Sequence, residues 1–463
     1  MKKDILSQMK YVRETAKDNL SSLVDTCINP SITYRRSTLS PHAMATVLAH
    51  TASESLSAQT HQWITMNAQG RNIIGIPSYF SKTSPFTLAC FAVLETVCGV
   101  SLPPLLREKM PSVDSLARLL DFPFSHDTSY TLPYHLACAA LISFIRGEEN
   151  HTQEIYDFQQ KDGSWTDDTT TTALSALALQ KTGIEPRYNV QKWLKREQLP
   201  NGAWAAASGE VWEAAAALKT GEVNTSNLIN TLVTCIHPNY WWGFSRYAVP
   251  DTDDTAVACC ALAPYNPSIT DRACQTLLNT QHENGGWGAF PRITGIVPEE
   301  TVLKRAETTS NDCTCHVLEA LERKNRESKA FKKGLLYLLE TQDRNGSWKP
   351  RWWRSPVYST ADIALLLNRN GYKEPALNAV NWLENTLNNP TSIVECALLM
   401  KTFSEFPEYT DTLTKAVTKF LGQSKDVLTP TYDGAHFVGL IDYAVYRLSI
   451  IVSSLGTVLR SLY

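Results

Sequence analysis

Apolar residues recur at helical spacing along most of this chain, and few segments alternate apolar and polar positions beyond five residues. That pattern predicts an almost entirely helical protein. Helical runs at 190–196 and 334–340 end in polar turns, and apolar runs at 171–179 and 361–367 follow such turns. The turns share a signature of Gln, three residues, Gly, one residue and Trp. It occurs as Gln159…Gly163…Trp165, Gln198…Gly202…Trp204, Gln281…Gly285…Trp287 and Gln342…Gly346…Trp348. Asp, Asn and Gly fill its middle, as turn chemistry requires. A helix–turn–helix unit repeated at uneven intervals of roughly 40–80 residues marks an array of helix pairs. Each Trp is expected to plug a helix end, and each Gln to bond backbone groups left open there.

Gly183, Pro186, Pro200 and Asn201 cluster near 182–201 and predict a boundary between two helical bodies. Residues 286–310 carry few large apolar side chains and read as a long connection, a kind of segment that is often functional. The chain has 463 residues, 43% hydrophobic and 19% charged, enough for a large core and unlike a disordered chain. A net charge of -3 and no basic stripe argue against a nucleic-acid partner. No apolar run of about 18 residues exists to span a membrane, although peripheral contact is compatible with the sequence. The start, Met1-Lys2-Lys3-Asp4, leads into a polar helical pattern, and the 11 cysteines are odd in number and scattered. Both observations point to a cytoplasmic protein with free thiols. Cys313-Thr314-Cys315-His316 lacks the second ligand pair that a zinc site needs.

The candidate chemistry lies in Asp251-Thr252-Asp253-Asp254-Thr255-Ala256, three carboxylates in four positions running into apolar 257–262. Burial and like-charge repulsion raise a carboxyl pKa, while hydrogen bonds to the ionised form lower it. Such a cluster can keep one carboxylic acid protonated at neutral pH and still make it a strong donor. Protonation of a carbon–carbon double bond needs such a donor, because an alkene is a very weak base.

The acid run and the four ordered Gln…Gly-x-Trp turns resemble class II terpene cyclases, the group of squalene–hopene cyclases and bacterial copalyl-type diterpene cyclases. The likeness continues through Asn284-Gly285-Gly286-Trp287-Gly288, Asp312-Cys313-Thr314-Cys315-His316-Val317-Leu318-Glu319 and Arg351-Trp352 leading to Tyr358-Ser359-Thr360. It is clear from about residue 155 to 365, weaker at 433–447, and little of 1–150 matches. The resemblance implies an all-α fold of two α/α barrels with the reaction cavity between them. It implies that residues 1–20 join the acid-bearing barrel, that 21–190 form the first, inserted barrel, and that 191–463 form the acid-bearing one. Asp167-Asp168-Thr169-Thr170-Thr171 lacks the later acid of a diphosphate-ionising synthase and reads as a helix start.

The resemblance makes Asp253 the general acid and His316 the residue that bonds it. Asp251 and Asp254 would orient Asp253, and also suit the cap and first turn of the helix that follows. Tyr358 would help to return the proton through water, or simply pack. Asp312 would hold the helix carrying His316, or cap it. Trp212, Phe244, Trp352 and Phe437 are candidate aromatic faces for a migrating cation, each with plain packing as the alternative. Trp212 sits in Val211-Trp212-Glu213, where related cyclases usually carry Val-Trp-Asp.

For substrate, the resemblance implies an isoprenoid. A chain shorter than typical squalene cyclases, no Gly-x-Trp after Trp382, and Gly243-Phe244-Ser245-Arg246 before the acid run favour a prenyl diphosphate. Geranylgeranyl diphosphate, cyclised to a bicyclic labdane-type diphosphate, is the first candidate. Diphosphate recognition implies Lys or Arg and usually Mg²⁺, for which no residues are assigned. A neutral polyprenyl such as squalene, or a prenylated aromatic, is the second candidate. A prenyltransferase-like or noncatalytic α/α barrel is the third, since fold alone does not fix function.

Overall fold

A computed structural model describes residues 3–25, 38–39, 41–53, 57–67, 72–73, 85–102, 107–108, 110–120, 132–148, 152–165, 168–199, 201–206, 209–246, 248, 250–289, 309–388, 392–429, 431, 434–436, 439–441 and 443–462. Helices dominate. In chain order they are α1 (Lys3–Asp25), α2 (Pro41–Ala52), α3 (Ala58–Asn67), α4 (Pro85–Thr96), α5 (Val113–Leu120), α6 (Leu132–Arg146), α7 (Gln153–Asp157), α8 (Thr169–Thr182), α9 (Val190–Glu197) and α10 (Glu210–Thr220). Then come α11 (Thr225–Thr234), α12 (Thr252–Leu262), α13 (Pro267–Leu278), α14 (Asn311–Asn325), α15 (Lys329–Glu340), α16 (Val357–Arg369), α17 (Lys373–Thr386), α18 (Ile393–Ser404), α19 (Thr410–Gly422) and α20 (Ala444–Ser461). Strands among the described residues are two-stranded scraps. Thr38–Leu39 pairs in parallel with Asn72–Ile73, and Trp287–Gly288 is antiparallel to Thr309–Ser310. The latter pair closes the two ends of the expected long connection. Its middle, 290–308, lies outside the described residues.

Two hydrophobic cores organise the chain. One gathers Met44, Phe91, Tyr134, Trp165, Trp193 and Trp204, all within 43–204. The other gathers Trp212, Trp242, Trp287, Trp348, Phe403 and Leu455 from 211–458. Met9, Val12, Ala16 and Leu20 of α1 belong to this second core, and α1 packs along α20. The Arg13 guanidinium pairs with Glu222, and Lys17 Nζ lies 3.4 Å from the same carboxylate. Val190, Trp193, Leu194, Leu199 and Trp204 are buried in the first core. Buried residues pass from the first core to the second between Trp204 and Val211.

The turn signature has a physical explanation. Trp165, Trp204, Trp287 and Trp348 each send the indole Nε1–H to the carbonyl ten residues earlier, on Ile155, Leu194, Leu277 and Leu338, at 2.7–2.8 Å. Each ring plugs the preceding helix end and satisfies one of its orphan carbonyls. Each Gln side chain donates to its own turn's Gly carbonyl, and three also reach a backbone carbonyl 29–49 residues on: Gln159 to Tyr188, Gln281 to Ala330 and Gln342 to Pro375. Gln thus staples one unit to the next. Gly346 holds φ +95°, and a Cβ there would lie 2.3 Å from the Asn378 carbonyl oxygen, so only glycine fits.

A fifth unit appears that the sequence pattern did not mark. Trp242 Nε1 donates to Leu232 O, again ten residues back, at 2.7 Å. Here Tyr240 stands where the other units carry Gly and takes φ +63° itself. This turn delivers the chain directly into the acid run.

Candidate active site

α12 begins at the acid run because Asp251 caps it. Asp251 is extended, and its carboxylate accepts from the Asp254 backbone N–H at 2.7 Å. Its own N–H donates to Trp242 O, and Thr252 N–H donates to Ala289 O. The fifth and third turn units thereby grip the start of α12. Asp253, in the first turn, is 4% exposed. α14 runs alongside α12, and His316 Nδ1 lies 2.6 Å from Asp253 Oδ1.

Burial works against charging the His316 imidazole, but the Asp253 carboxylate and its hydrogen bond, with Glu319 and Asp362 behind, raise it to about 9. Burial also pushes Asp254 well up, reinforced by the charge of Asp251 and a hydrogen bond between the two carboxyls. Burial raises Asp251 to about 7, although Asp254 donates toward it. Asp254 Oδ1 is buried with no hydrogen-bond partner among the described residues. Asp312 is raised by burial and then by Asp253, and its Oδ2 accepts from the N–H groups of Arg351 at 2.7 Å and Trp352 at 3.3 Å.

Aromatic rings roof this pair. Trp212 of α10 meets the His316 ring edge-on at 5.6 Å and approaches Trp353 at 6.2 Å and Tyr446 at 5.7 Å. Trp353 lies between two stacked rings, Tyr358 at 4.4 Å and Tyr446 at 4.9 Å. Phe244 stands edge-on to Tyr443 at 5.6 Å. Glu213 Oε1 accepts from Val445 N–H at 3.0 Å, so the residue next to Trp212 pins the start of α20.

The structure brings together Asp251, Asp253, Asp254, Asp312, His316, Trp212 and Tyr358. Two expected residues stand apart. Trp352 is half-buried with the Arg351 guanidinium 5.0 Å over its ring, and its neighbour Trp353 takes the place in the stack. Arg246 is 43% exposed, pairs with Glu210 at 3.6 Å and donates to Thr234. Phe437 lies outside the described residues. Trp353, Tyr443 and Tyr446 were not singled out from sequence. Tyr443 and Tyr446 stand three apart at the start of α20, a spacing that puts both on one helix face. Among the described residues no group of three or more His, Cys, Asp or Glu could hold a metal ion.

Residues 210–397, which carry the acid run, His316, Trp212 and Trp353, match the squalene-hopene cyclase C-terminal domain family. Residues 210–397 of the chain thus carry a class II terpene cyclase domain. A squalene-hopene cyclase from Schizosaccharomyces japonicus is 28% identical over 225 residues, 43% of this chain and 30% of that protein. A sporulenol synthase from Bacillus subtilis is 30% identical over 131 residues, 26% of this chain and 21% of that protein. These matches span about a third or less of the relatives' own length. The solved ent-copalyl diphosphate synthase from Streptomyces platensis shares the fold at 16% identity, with a TM-score of 0.55 over 98% of this chain and 95% of that one. The family-matched segment carries the Asp253–His316 contact, and the rings of Trp212 and Trp353 lie within it. Among the described residues no helix is long and apolar enough to cross a membrane.

Proposed function

We propose that this chain cyclises a linear isoprenoid by protonating its terminal double bond, with Asp253 as the acid. The observation that carries the reading is the buried Asp253–His316 contact beneath the Trp212–Trp353–Tyr446 stack. Asp253 gives its proton to the less substituted alkene carbon, and the alkene's electron pair forms the new C–H bond. The positive charge left on the other carbon is attacked by the next double bond, closing a ring. His316 as imidazolium stabilises the Asp253 carboxylate left behind. The rings of Trp212, Trp353 and Tyr446 lie where a migrating cation gains about 0.5–2 kcal/mol per face. Loss of a proton, or capture of water, ends the reaction.

For substrate, we infer a prenyl diphosphate, with geranylgeranyl diphosphate converted to a bicyclic labdane-type diphosphate. The near-complete mutual coverage with a solved ent-copalyl diphosphate synthase supports it, as does the turn-free sequence after Trp382. A second reading, a neutral polyprenyl such as squalene or a prenylated aromatic, is favoured by the squalene-hopene relatives of the acid-bearing half. Incubation with farnesyl, geranylgeranyl and geranylfarnesyl diphosphates and with squalene, with and without Mg²⁺, separates the two. Products are analysed before and after phosphatase treatment. A cyclic product released only by phosphatase supports the first reading, and turnover of squalene alone replaces it with the second.

A further inference from the structure

His316 has a second acid at its back. Glu319 follows it by three positions on α14, and residues three apart on a helix are neighbours, about 5–6 Å between Cβ atoms. Two cations reach Glu319 from other helices. Lys219 Nζ, at the end of α10, lies 3.7 Å from Oε2. Arg369 Nη2, at the end of α16, lies 3.4 Å from Oε1 and 3.3 Å from Glu322.

We propose that Glu319 is a positioning residue of the proton-delivery pair, whose fixed negative charge keeps His316 an imidazolium throughout the reaction cycle. The inference rests on reading Asp253 as the acid. Its logic is that Asp253 cannot do this alone. Before transfer Asp253 carries the proton and has no charge with which to hold a cation beside it. After transfer it is a carboxylate. Glu319 does not alternate. Burial by itself would raise its carboxyl, but Lys219 and Arg369, then His316 and Lys401, hold it down at about 2.

The other titratable groups facing this pair are few. Asp253 approaches His316 from α12, Asp312 lies one turn earlier on α14, and Asp362 acts from α16. Lys219, Arg369 and Lys401 stand behind Glu319, from α10, α16 and α18. The structure therefore supplies acids toward the imidazole and cations beyond them.

The test observes the His316 ring by NMR in full-length protein with labelled histidine, its signals assigned by comparison with His316→Ala. In Glu319→Gln the titration midpoint is expected to fall by about one pH unit. The alkaline limb of kcat should move down with it, while KM changes less than about twofold. Glu319→Asp should restore both. An unchanged midpoint in folded Glu319→Gln overturns the proposal, as does a uniform loss of kcat with the limb in place. If that variant does not fold, Glu319→Leu with Lys219→Met leaves no unpaired charge and is expected to lower the midpoint in the same direction; no fall overturns the proposal equally. The titration reads the charge coupling without turnover, so it stands or falls separately from the role of Asp253.

Discussion

Nδ1 of His316 sits 2.6 Å from Oδ1 of Asp253, a contact made by residues 63 positions apart on α14 and α12. It is the shortest route from the acid to a cation among the described hydrogen bonds of the site. His316→Ala should lower turnover by about 10²–10⁴-fold while the helix content stays native. Wild-type turnover should decline on the alkaline side, where the imidazolium is lost. The linkage has a definite sign. The folded value of His316 is raised above the ordinary 6.5, so its contribution to stability is complete below about 6.5 and lost as pH rises through about 9. Denaturant midpoints at about pH 6 and about pH 10, compared between wild type and His316→Ala, check this. Equal pH dependence in the two proteins would remove the ion pair from the account.

Asp254→Asn keeps a donor facing Asp251 but has no proton to lose. Because the folded Asp254 carboxyl is held well above its ordinary value, wild type loses that group's contribution as pH rises. The variant should therefore be more stable than wild type on the alkaline side, with a flatter pH profile. Lower alkaline stability in the variant would contradict the raised Asp254 carboxyl.

Trp352 and Trp353 are identical residues side by side, and the Asp312 carboxylate fixes which one turns inward by accepting from the N–H groups of 351 and 352. Trp353→Leu should divert product toward early-terminated or partly cyclised species, since the ring between Tyr358 and Tyr446 is gone. Trp352→Leu should leave the product spectrum intact. Gas chromatography of the products compares them, and the reverse ranking would contradict the site as described.

Gly346→Ala should destabilise the fold by more than about 1 kcal/mol, because both the positive φ and the Asn378 carbonyl oppose a side chain. Trp348→Phe, which deletes the bond to Leu338 O and leaves part of the buried indole's space empty, should cost more than about 1 kcal/mol. Thermal melts read both, and a wild-type melting temperature for Gly346→Ala would dismiss the stapled-turn account.

Much of this architecture is written in short-range chemistry. The Gln…Gly-x-Trp turns are visible because a positive φ demands glycine and because an indole reaches back a fixed distance along its own helix. The acid run is visible because its cap and its chemistry use the same residues. The unit ending at Trp242 is hidden because Tyr240 bears the positive φ and Ile236 stands where the other units have Gln. The choice of Trp353 over Trp352 is hidden for a different reason. It depends on a carboxylate about 40 residues away gripping the backbone, which periodicity does not record. Tyr446 reaches the site only because α20 packs back onto α10, a long-range pairing. Arg246 follows Phe244 by two positions yet points to Glu210 and Thr234.

The most direct test of the central claim is the turnover of Asp253→Asn with the isoprenoid that wild type cyclises. The amide preserves the size of the side chain and an acceptor for His316 but has no acidic proton to give. Native helical circular dichroism with no detectable cyclic product is the expected result. Cyclisation at an appreciable fraction of the wild-type rate by the folded variant would contradict it and place the proton donor elsewhere.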